Sequence, residues 1–275
     1  MIHLFVDVDG TLIDEETKTI CQRNKEVIKD FISKGHKLSI ATGRSVYICD
    51  KIIDELDIAH PGHYFVNLNG AVAYDYKYNP LYSSTIKTNR LRDIIQVAID
   101  YKYGINLYTL NGIYLYLPDD VENLLFKNAK NLTLLNKDSL EEFLKEKAGE
   151  ILKIEFQSSD YQSLIDMYNE TKDLFEGLDI AFSSKRYFEL TNSGVSKGTA
   201  IEYLLKHELE EGTIVATIGD SPNDLTMIQL DVESFAVKNA EDMILKNAKT
   251  ITKSTAKEGA VAEAIEYLLE KYGDK

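Results

Sequence analysis

The residues best suited to chemistry are carboxylates. Asp7 and Asp9 stand two positions apart in Asp7-Val8-Asp9-Gly10-Thr11-Leu12, at the end of an apolar run that begins at Ile2. Like charges 4 Å apart at an effective dielectric near 20 repel by about 4 kcal/mol. Such a pair persists where a cation binds between its members or where one of them is protonated; the alternative is a solvated Asp-Gly turn. A calcium-binding hand fits less well, because its loop wants glycine sixth and the glycine here comes fourth. A second acidic segment, Gly219-Asp220-Ser221-Pro222-Asn223-Asp224, follows the apolar run TIVATI. Helix capping accounts for part of it but not for three acidic or amide groups in five residues. Hard divalent cations take oxygen ligands, and Mg²⁺ uses only one or two carboxylates. Asp7 and Asp220 meet that requirement, with a backbone carbonyl of the first loop available as a third oxygen.

Two further segments supply groups for an anion. Ala41-Thr42-Gly43-Arg44 closes one predicted strand and opens a helix, where a hydroxyl and backbone N–H groups can hold a phosphate oxygen. Lys197, in Ser193-Gly194-Val195-Ser196-Lys197-Gly198, lies at another predicted helix start, an uncomfortable place for a cation unless an anion is near. A lone lysine there is otherwise a solvated surface residue. No glycine is followed by lysine, so a Walker-type loop is absent, and none of the five histidines has metal-ligand spacing. His60 and His63, flanking Pro61-Gly62, read as turn residues.

These segments need strands to carry them. Apolar and amphipathic stretches alternate as IHLFVDV, Asn24–Lys34 stopped by Gly35, KLSIAT, Ser45–Leu56 and YFVNL, a β-α-β-α-β order that predicts a parallel sheet. The same grammar returns in helix Lys197–Lys206, strand TIVATI, helix Asn223–Leu230, strand ESFAV, helix Glu241–Asn247, strand KTIT and helix Lys257–Lys271. Between them lies different text. A helix capped by Thr88 or Asn89 runs to Tyr103, and INLYTL and IYLYLP form a hairpin at Asn111-Gly112. Helices near Val121–Lys130 and Ser139–Lys147 follow, then strand ILKIEF, helix Tyr161–Phe175 and strands LDIAFS and YFELT. The predicted fold is α/β: a parallel-sheet domain in residues 1–81 and 188–275, interrupted by a hairpin-containing α+β unit in residues 82–187.

The chain has 275 residues, 44% of them apolar and 28% charged, which is globular composition of one large or two modest domains. Its formal charge of −14 argues against nucleic-acid and anionic-membrane partners and requires that an anionic substrate be met by a metal or a local cation. No apolar run reaches the ~18 residues of a membrane helix. The early acidic residues speak against a signal peptide, and two cysteines, Cys21 and Cys49, suit packing in a reducing cytoplasm.

Taken together and in this order, DVDGTL, ATGR, VSKG and GDSPND resemble the signatures of the haloacid dehalogenase-like phosphohydrolases, specifically the Cof-type branch with a large inserted cap. Asn69-Gly70-Ala71 and Glu258-Gly259-Ala260-Val261 also look like text of that branch. The resemblance implies a Rossmann-like core with helices on both faces and an inserted α+β cap, and a Mg²⁺-dependent phosphatase of small phosphorylated metabolites, sugar phosphates first and phosphorylated cofactors next; a monomer or weak homo-oligomer is expected. It implies Asp7 as the nucleophile that becomes an aspartyl-phosphate, and Asp9 as general acid and then base. Mg²⁺ would be held by Asp7, the Asp9 carbonyl and Asp220, with Asp224 orienting them from behind. Thr42 and the Gly43 and Val8 N–H groups would grip phosphoryl oxygens, Asn223 would touch the phosphoryl group or the groups around the metal, and Lys197 would offset the charge on the nucleophile and the phosphate. A phosphotransferase or phosphomutase of the same fold, or a non-catalytic sensor of phosphometabolites, are the alternatives. The cap would select the substrate. It is rich in tyrosine, with Tyr101, Tyr103, Tyr108, Tyr114, Tyr116, Tyr161, Tyr168 and Tyr187; those alternating in INLYTL and IYLYLP are what a half-buried strand prefers, and none is assigned to substrate.

Overall fold

The computed structural model describes residues 1–118 and 129–273. They form two compact units, Met1–Tyr82 with Ser196–Lys275, and Ser83–Val195. Each is taken in chain order.

The first unit opens with β1 (Ile2–Val6), wholly buried, and α1 (Gln22–Ser33), which turns Ile28 and Phe31 inward. Next come β2 (Lys37–Ala41), a single 3₁₀ turn at Val46–Ile48 capped by Ser45, and α2 (Asp50–Leu56). The stretch predicted as one helix over Ser45–Leu56 is thus broken in two. Strands β3 (Phe65–Asn67), β4 (Val72–Tyr74) and β5 (Pro80–Ser83) end this half. β4 and β5, too short to show a period, were not predicted. His63 is not a turn residue on the surface: it is buried, and its Nδ1–H donates to the Leu38 carbonyl at 2.7 Å.

The second unit contains α3 (Leu91–Asp100), β6 (Gly104–Thr109), β7 (Gly112–Tyr116), β8 (Leu132–Leu135), α4 (Lys137–Glu146), β9 (Lys153–Gln157), α5 (Tyr161–Thr171), β10 (Leu178–Ser184) and β11 (Tyr187–Asn192). Its sheet has the order β10-β11-β9-β6-β7-β8. Because β11 pairs with β9 and β10, the unit ends at Val195, and the predicted limit at 187 falls too early. The helix start is also displaced: Arg90 occupies the N-cap of α3, its N–H held by the Thr88 hydroxyl. The predicted helix near Val121–Lys130 lies almost entirely outside the described residues.

The β6–β7 hairpin turns one residue earlier than Asn111-Gly112 suggested. Thr109 pairs with Gly112, and the Thr109 hydroxyl accepts from the Asn111 N–H and donates to the Gly112 carbonyl. Gly112 serves another end. A Cβ there would stand 2.6 Å from the Asn131 carbonyl, which accepts from the Ile113 N–H at the entry to β8.

Alternation divides this sheet chemically. Ile105, Leu107, Ile154, Phe156, Phe188 and Leu190 join the apolar core with the inward residues of α3, α4 and α5. The intervening positions are polar and yet buried. Lys153 Nζ contacts Glu189 at 2.8 Å and Glu155 at 3.3 Å, and Glu155 also accepts from Asn106 and Tyr108. Burial lifts the Glu155 carboxyl above its usual range despite the ammonium beside it.

The chain then returns to the first unit with α6 (Lys197–His207), β12 (Ile214–Gly219), a 3₁₀ turn at Pro222–Asp224, α7 (Leu225–Ile228), β13 (Glu233–Ala236), α8 (Asp242–Asn247), β14 (Thr250–Ile251) and α9 (Ala260–Tyr272). The sheet order is β14-β13-β12-β1-β2-β3-β4-β5, parallel from β14 to β3. Two helix groups cover it, α1 with α2 and α9, and α6 with α7 and α8. Strand order reverses between β1 and β12, so the loops after these two neighbours diverge and leave a crevice at their carboxyl ends. No helix among the described residues is long and apolar enough to cross a membrane.

Candidate active site

The register Val6↔Ile218 brings the ends of β1 and β12 level, and Asp7 is still tied to β12 through its N–H and the Ile218 carbonyl. Asp7 and Asp220 are therefore delivered to the same crevice. Asp224 joins them from the 3₁₀ turn, where Ser221 and Asp224 form a reciprocal cap. Carboxylate oxygens of Asp7, Asp220 and Asp224 all lie within 4.8 Å of one another.

Lys197 meets this cluster from the first turn of α6. Its ammonium is fully buried and donates to Asp7 Oδ1 and Asp224 Oδ1, each at 2.6 Å. The surface-lysine reading of that residue is excluded. The Ser196 and Thr199 hydroxyls cap α6 reciprocally and fix its start. Burial alone would discharge the lysine, but the two carboxylates hold its affinity for a proton above the ordinary value. Asp7 is pushed well above the normal carboxylate range by burial and then by the Asp224 charge, with Lys197 opposing. Asp220 is pushed up to about 6, again by burial, against the bond from Thr11.

Hydrogen bonds separate the roles of these acids. Both Asp224 oxygens are occupied, Oδ1 by Lys197 and Oδ2 by the N–H groups of Asp220 (2.9 Å) and Ser221 (3.0 Å). Asp224 therefore holds the loop and the lysine. Asp220 accepts from Thr11 Oγ1 at 2.6 Å and from Ser221 Oγ at 2.8 Å, neutral donors that leave its charge intact. Three carboxylates against one ammonium leave an excess of negative charge, and like pairs at this separation cost about 3 kcal/mol each at an effective dielectric near 20. A divalent cation on Asp7 and Asp220 would relieve it, and this oxygen donor set suits a hard ion.

Asp9 is placed apart from that cluster. Its part-exposed carboxylate is gripped by both arms of the Arg44 guanidinium, Nε at 2.8 Å and a terminal nitrogen. Thr42 is buried at the end of β2, its N–H on the Val66 carbonyl and its hydroxyl accepting from the Arg44 N–H at 3.2 Å. The Val8 carbonyl takes the N–H groups of Leu12 and Ile13 and closes the turn after Asp7. Asn223 reaches Asn69 at 3.1 Å, beside Gly43. Arg44, Thr11, Ser221 and Asn69 received no role from the sequence. All four stand inside the short segments singled out there, which was the only signal available.

Comparison with known proteins agrees with this architecture. Residues 4–265 match the family of haloacid dehalogenase-like hydrolases. The chain is 26% identical over 294 residues to phosphatase YwpJ of Bacillus subtilis, covering 96% of this chain and 98% of that one. It is 26% identical over 288 residues to 5-amino-6-(5-phospho-D-ribitylamino)uracil phosphatase YwtE of the same organism, with 96% of each covered. A crystal structure of a haloacid dehalogenase-like hydrolase from Bacteroides thetaiotaomicron superposes with a TM-score of 0.82 at 25% identity, over 97% of this chain and 99% of that one. The chain belongs to the haloacid dehalogenase-like hydrolases, in their Cof-type branch, and is a phosphoric monoester hydrolase.

Proposed function

We propose that the protein hydrolyses phosphate esters of small hydroxylated metabolites, sugar phosphates foremost, by way of an aspartyl-phosphate on Asp7 and with Mg²⁺ as its metal. The observation that carries this is the buried Asp7 carboxylate at the reversal of strand order, 2.6 Å from a buried lysine and within 4.8 Å of two further carboxylates. An Asp7 oxygen attacks phosphorus as the ester P–O bond breaks, and the departing alkoxide takes a proton from Asp9. Water then attacks the aspartyl-phosphate, losing its proton to Asp9, and the bond to Asp7 is cleaved to release inorganic phosphate. Two easier displacements replace one difficult hydrolysis. A carboxyl cannot carry a proton and keep both charge-assisted bonds, so Asp9 leaves the Arg44 fork to act.

The remaining groups position and neutralise, which is most of the catalysis in phosphoryl transfer. Thr42, the N–H groups of Gly43 and Val8, and Asn223 grip the phosphoryl oxygens, while Lys197 offsets the charge of Asp7 and the phosphate. Asp7, Asp220 and the Asp9 carbonyl would hold Mg²⁺, whose contribution is to screen the phosphate and polarise the P–O bonds. Support for a hydroxylated substrate comes from the phosphoribityl compound named for YwtE. The second unit is proposed to select among such substrates, and the free thiols of Cys21 and Cys49 suit a reducing cytoplasm.

The test is release of phosphate from p-nitrophenyl phosphate and a panel of sugar phosphates, before and after EDTA and after added Mg²⁺. Turnover lost with EDTA and restored by Mg²⁺ is expected. Undiminished turnover after EDTA overturns the metal, and release from no substrate overturns the phosphatase.

A further inference from the structure

The Asn69-Gly70 pair noted in the sequence sits in a strained turn that touches three loops of the site. Leu68, Asn69 and Gly70 have φ of 53°, 57° and 96° in succession. Leucine has no polar side chain to compensate in the left-handed region, and no other two adjacent non-glycine residues adopt it among the described residues. Strain of this kind persists where the surroundings over-determine it. Here the surroundings are the Thr42–Arg44 loop. The Asn69 N–H donates to the Thr42 carbonyl at 3.1 Å, the Leu68 N–H to the Arg44 carbonyl at 3.1 Å, and Asn67 Nδ2 to the same carbonyl at 3.0 Å.

The side chain points at the neighbouring loops. Asn69 Oδ1 accepts from Asn223 Nδ2 at 3.1 Å, and the same oxygen lies 2.8 Å from where a Cβ on residue 43 would stand. A side chain on residue 43 would push this oxygen from its place. On the other flank, a Cβ on Gly70 would lie 2.0 Å from the Ser196 carbonyl, next to Lys197. One tripeptide therefore spaces the Thr42-Gly43 loop, the Asn223 loop and the start of α6.

We propose that Asn69 is a positioning residue that sets Asn223 against Thr42 and Gly43 at the separation a phosphoryl group requires. The inference rests on the phosphate grip given under Proposed function. An amide fits this position because its oxygen can accept from Asn223 without adding charge. A carboxylate would accept equally well, but it would add a fourth negative group beside Asp7, Asp220 and Asp224 and repel the dianion.

The experiment separates backbone from side chain. Asn69→Gly keeps the left-handed conformation without strain and deletes only the amide. Its melting temperature is expected to equal or exceed that of the wild type, with the Kd for inorganic phosphate, read by calorimetry in Mg²⁺, raised about tenfold, the equivalent of one good hydrogen bond. Asn69→Asp is expected to weaken phosphate further, by a factor that shrinks between low salt and 0.5 M salt as the added charge is screened. Wild-type phosphate affinity in Asn69→Gly overturns the proposal. So does a lowered melting temperature in that variant, which would make residue 69 structural, or a salt-independent defect in Asn69→Asp. Absence of turnover in the wild type would instead sink the phosphatase reading, while the calorimetric comparison still decides Asn69.

Discussion

The ammonium of Lys197 touches the carboxylate of Asp7 at 2.6 Å across 190 positions of sequence, and both groups are buried. That pairing welds the two halves of the first unit together. Removing one partner of a buried ion pair costs about 3–5 kcal/mol, because the other charge stays behind unpaired. Lys197→Met is expected to lower stability by that order in metal-free buffer, seen as a shift in the urea midpoint, and to abolish turnover. Mg²⁺ should restore part of the stability and none of the activity. An unchanged midpoint in EDTA contradicts the pairing.

Asp7→Asn separates chemistry from folding. The amide keeps the shape, Lys197 remains paired with Asp224, and one of three crowded negative charges is gone, so the melting temperature in EDTA should stay level or rise. Turnover of p-nitrophenyl phosphate should fall by about 10⁴-fold or more, the scale on which a lost nucleophile is felt. Activity within tenfold of wild type would end the case for Asp7 as the attacking group.

Two buried histidines set an acid limit on stability. His3 stacks between Phe5 and Tyr64, and burial lowers it from 6.5 to about 3. His63 is lowered to about 4, also by burial. Both are neutral in the folded and unfolded chain above about pH 7, so they leave stability there unchanged. Below 6.5 the unfolded chain takes up protons that the folded one refuses. Stability then falls by about 1.4 kcal/mol per pH unit for each histidine until the folded values are reached. Urea midpoints between pH 7.5 and 4.5 should decline more steeply for the wild type than for His3→Gln. Parallel slopes would refute the assignment.

The polar face of the second sheet offers a matching test far from the carboxylate cluster in sequence. Lys153→Met would leave Glu155 and Glu189 buried without their cation, at a cost of about 3–5 kcal/mol. The triple variant Lys153→Met, Glu155→Leu, Glu189→Leu should recover most of that loss, because an apolar set removes the buried charges altogether. Equal destabilisation of both variants in urea would show that the network is not what holds the face together.

Much of this was legible in the sequence where local chemistry is strong. The acidic tips after β1 and β12, the hydroxyl of Thr42 and the lysine of α6 were visible because residue type and position after an apolar run are both local facts. The burial of Lys197 was not, since nothing near it in sequence shows that Asp7 and Asp224 await it. The Arg44 grip on Asp9 and the Asn69 contact with Asn223 escaped for the same reason: each joins segments separated by tens of residues or more. Strand β11 shows the converse. Its sequence reads as a strand of the middle text, but where that text ends is not marked locally, and the pairing of β11 with β9 and β10 carries the second unit past residue 187 to Val195. Gly112 was noticed for its turn propensity, whereas its place is fixed by the passing Asn131 carbonyl.

The adjacency of β1 and β12 has a bearing on how the molecule is made. Emerging from a ribosome, β1 waits through more than two hundred residues for one of its two neighbours. Every strand of the intervening sheet, by contrast, finds its partners within residues 83–195. The inserted unit can thus finish its hydrogen bonding while the enclosing one still exposes a bare strand edge. During synthesis, the piece that needs protection from wrong pairing is the one made first.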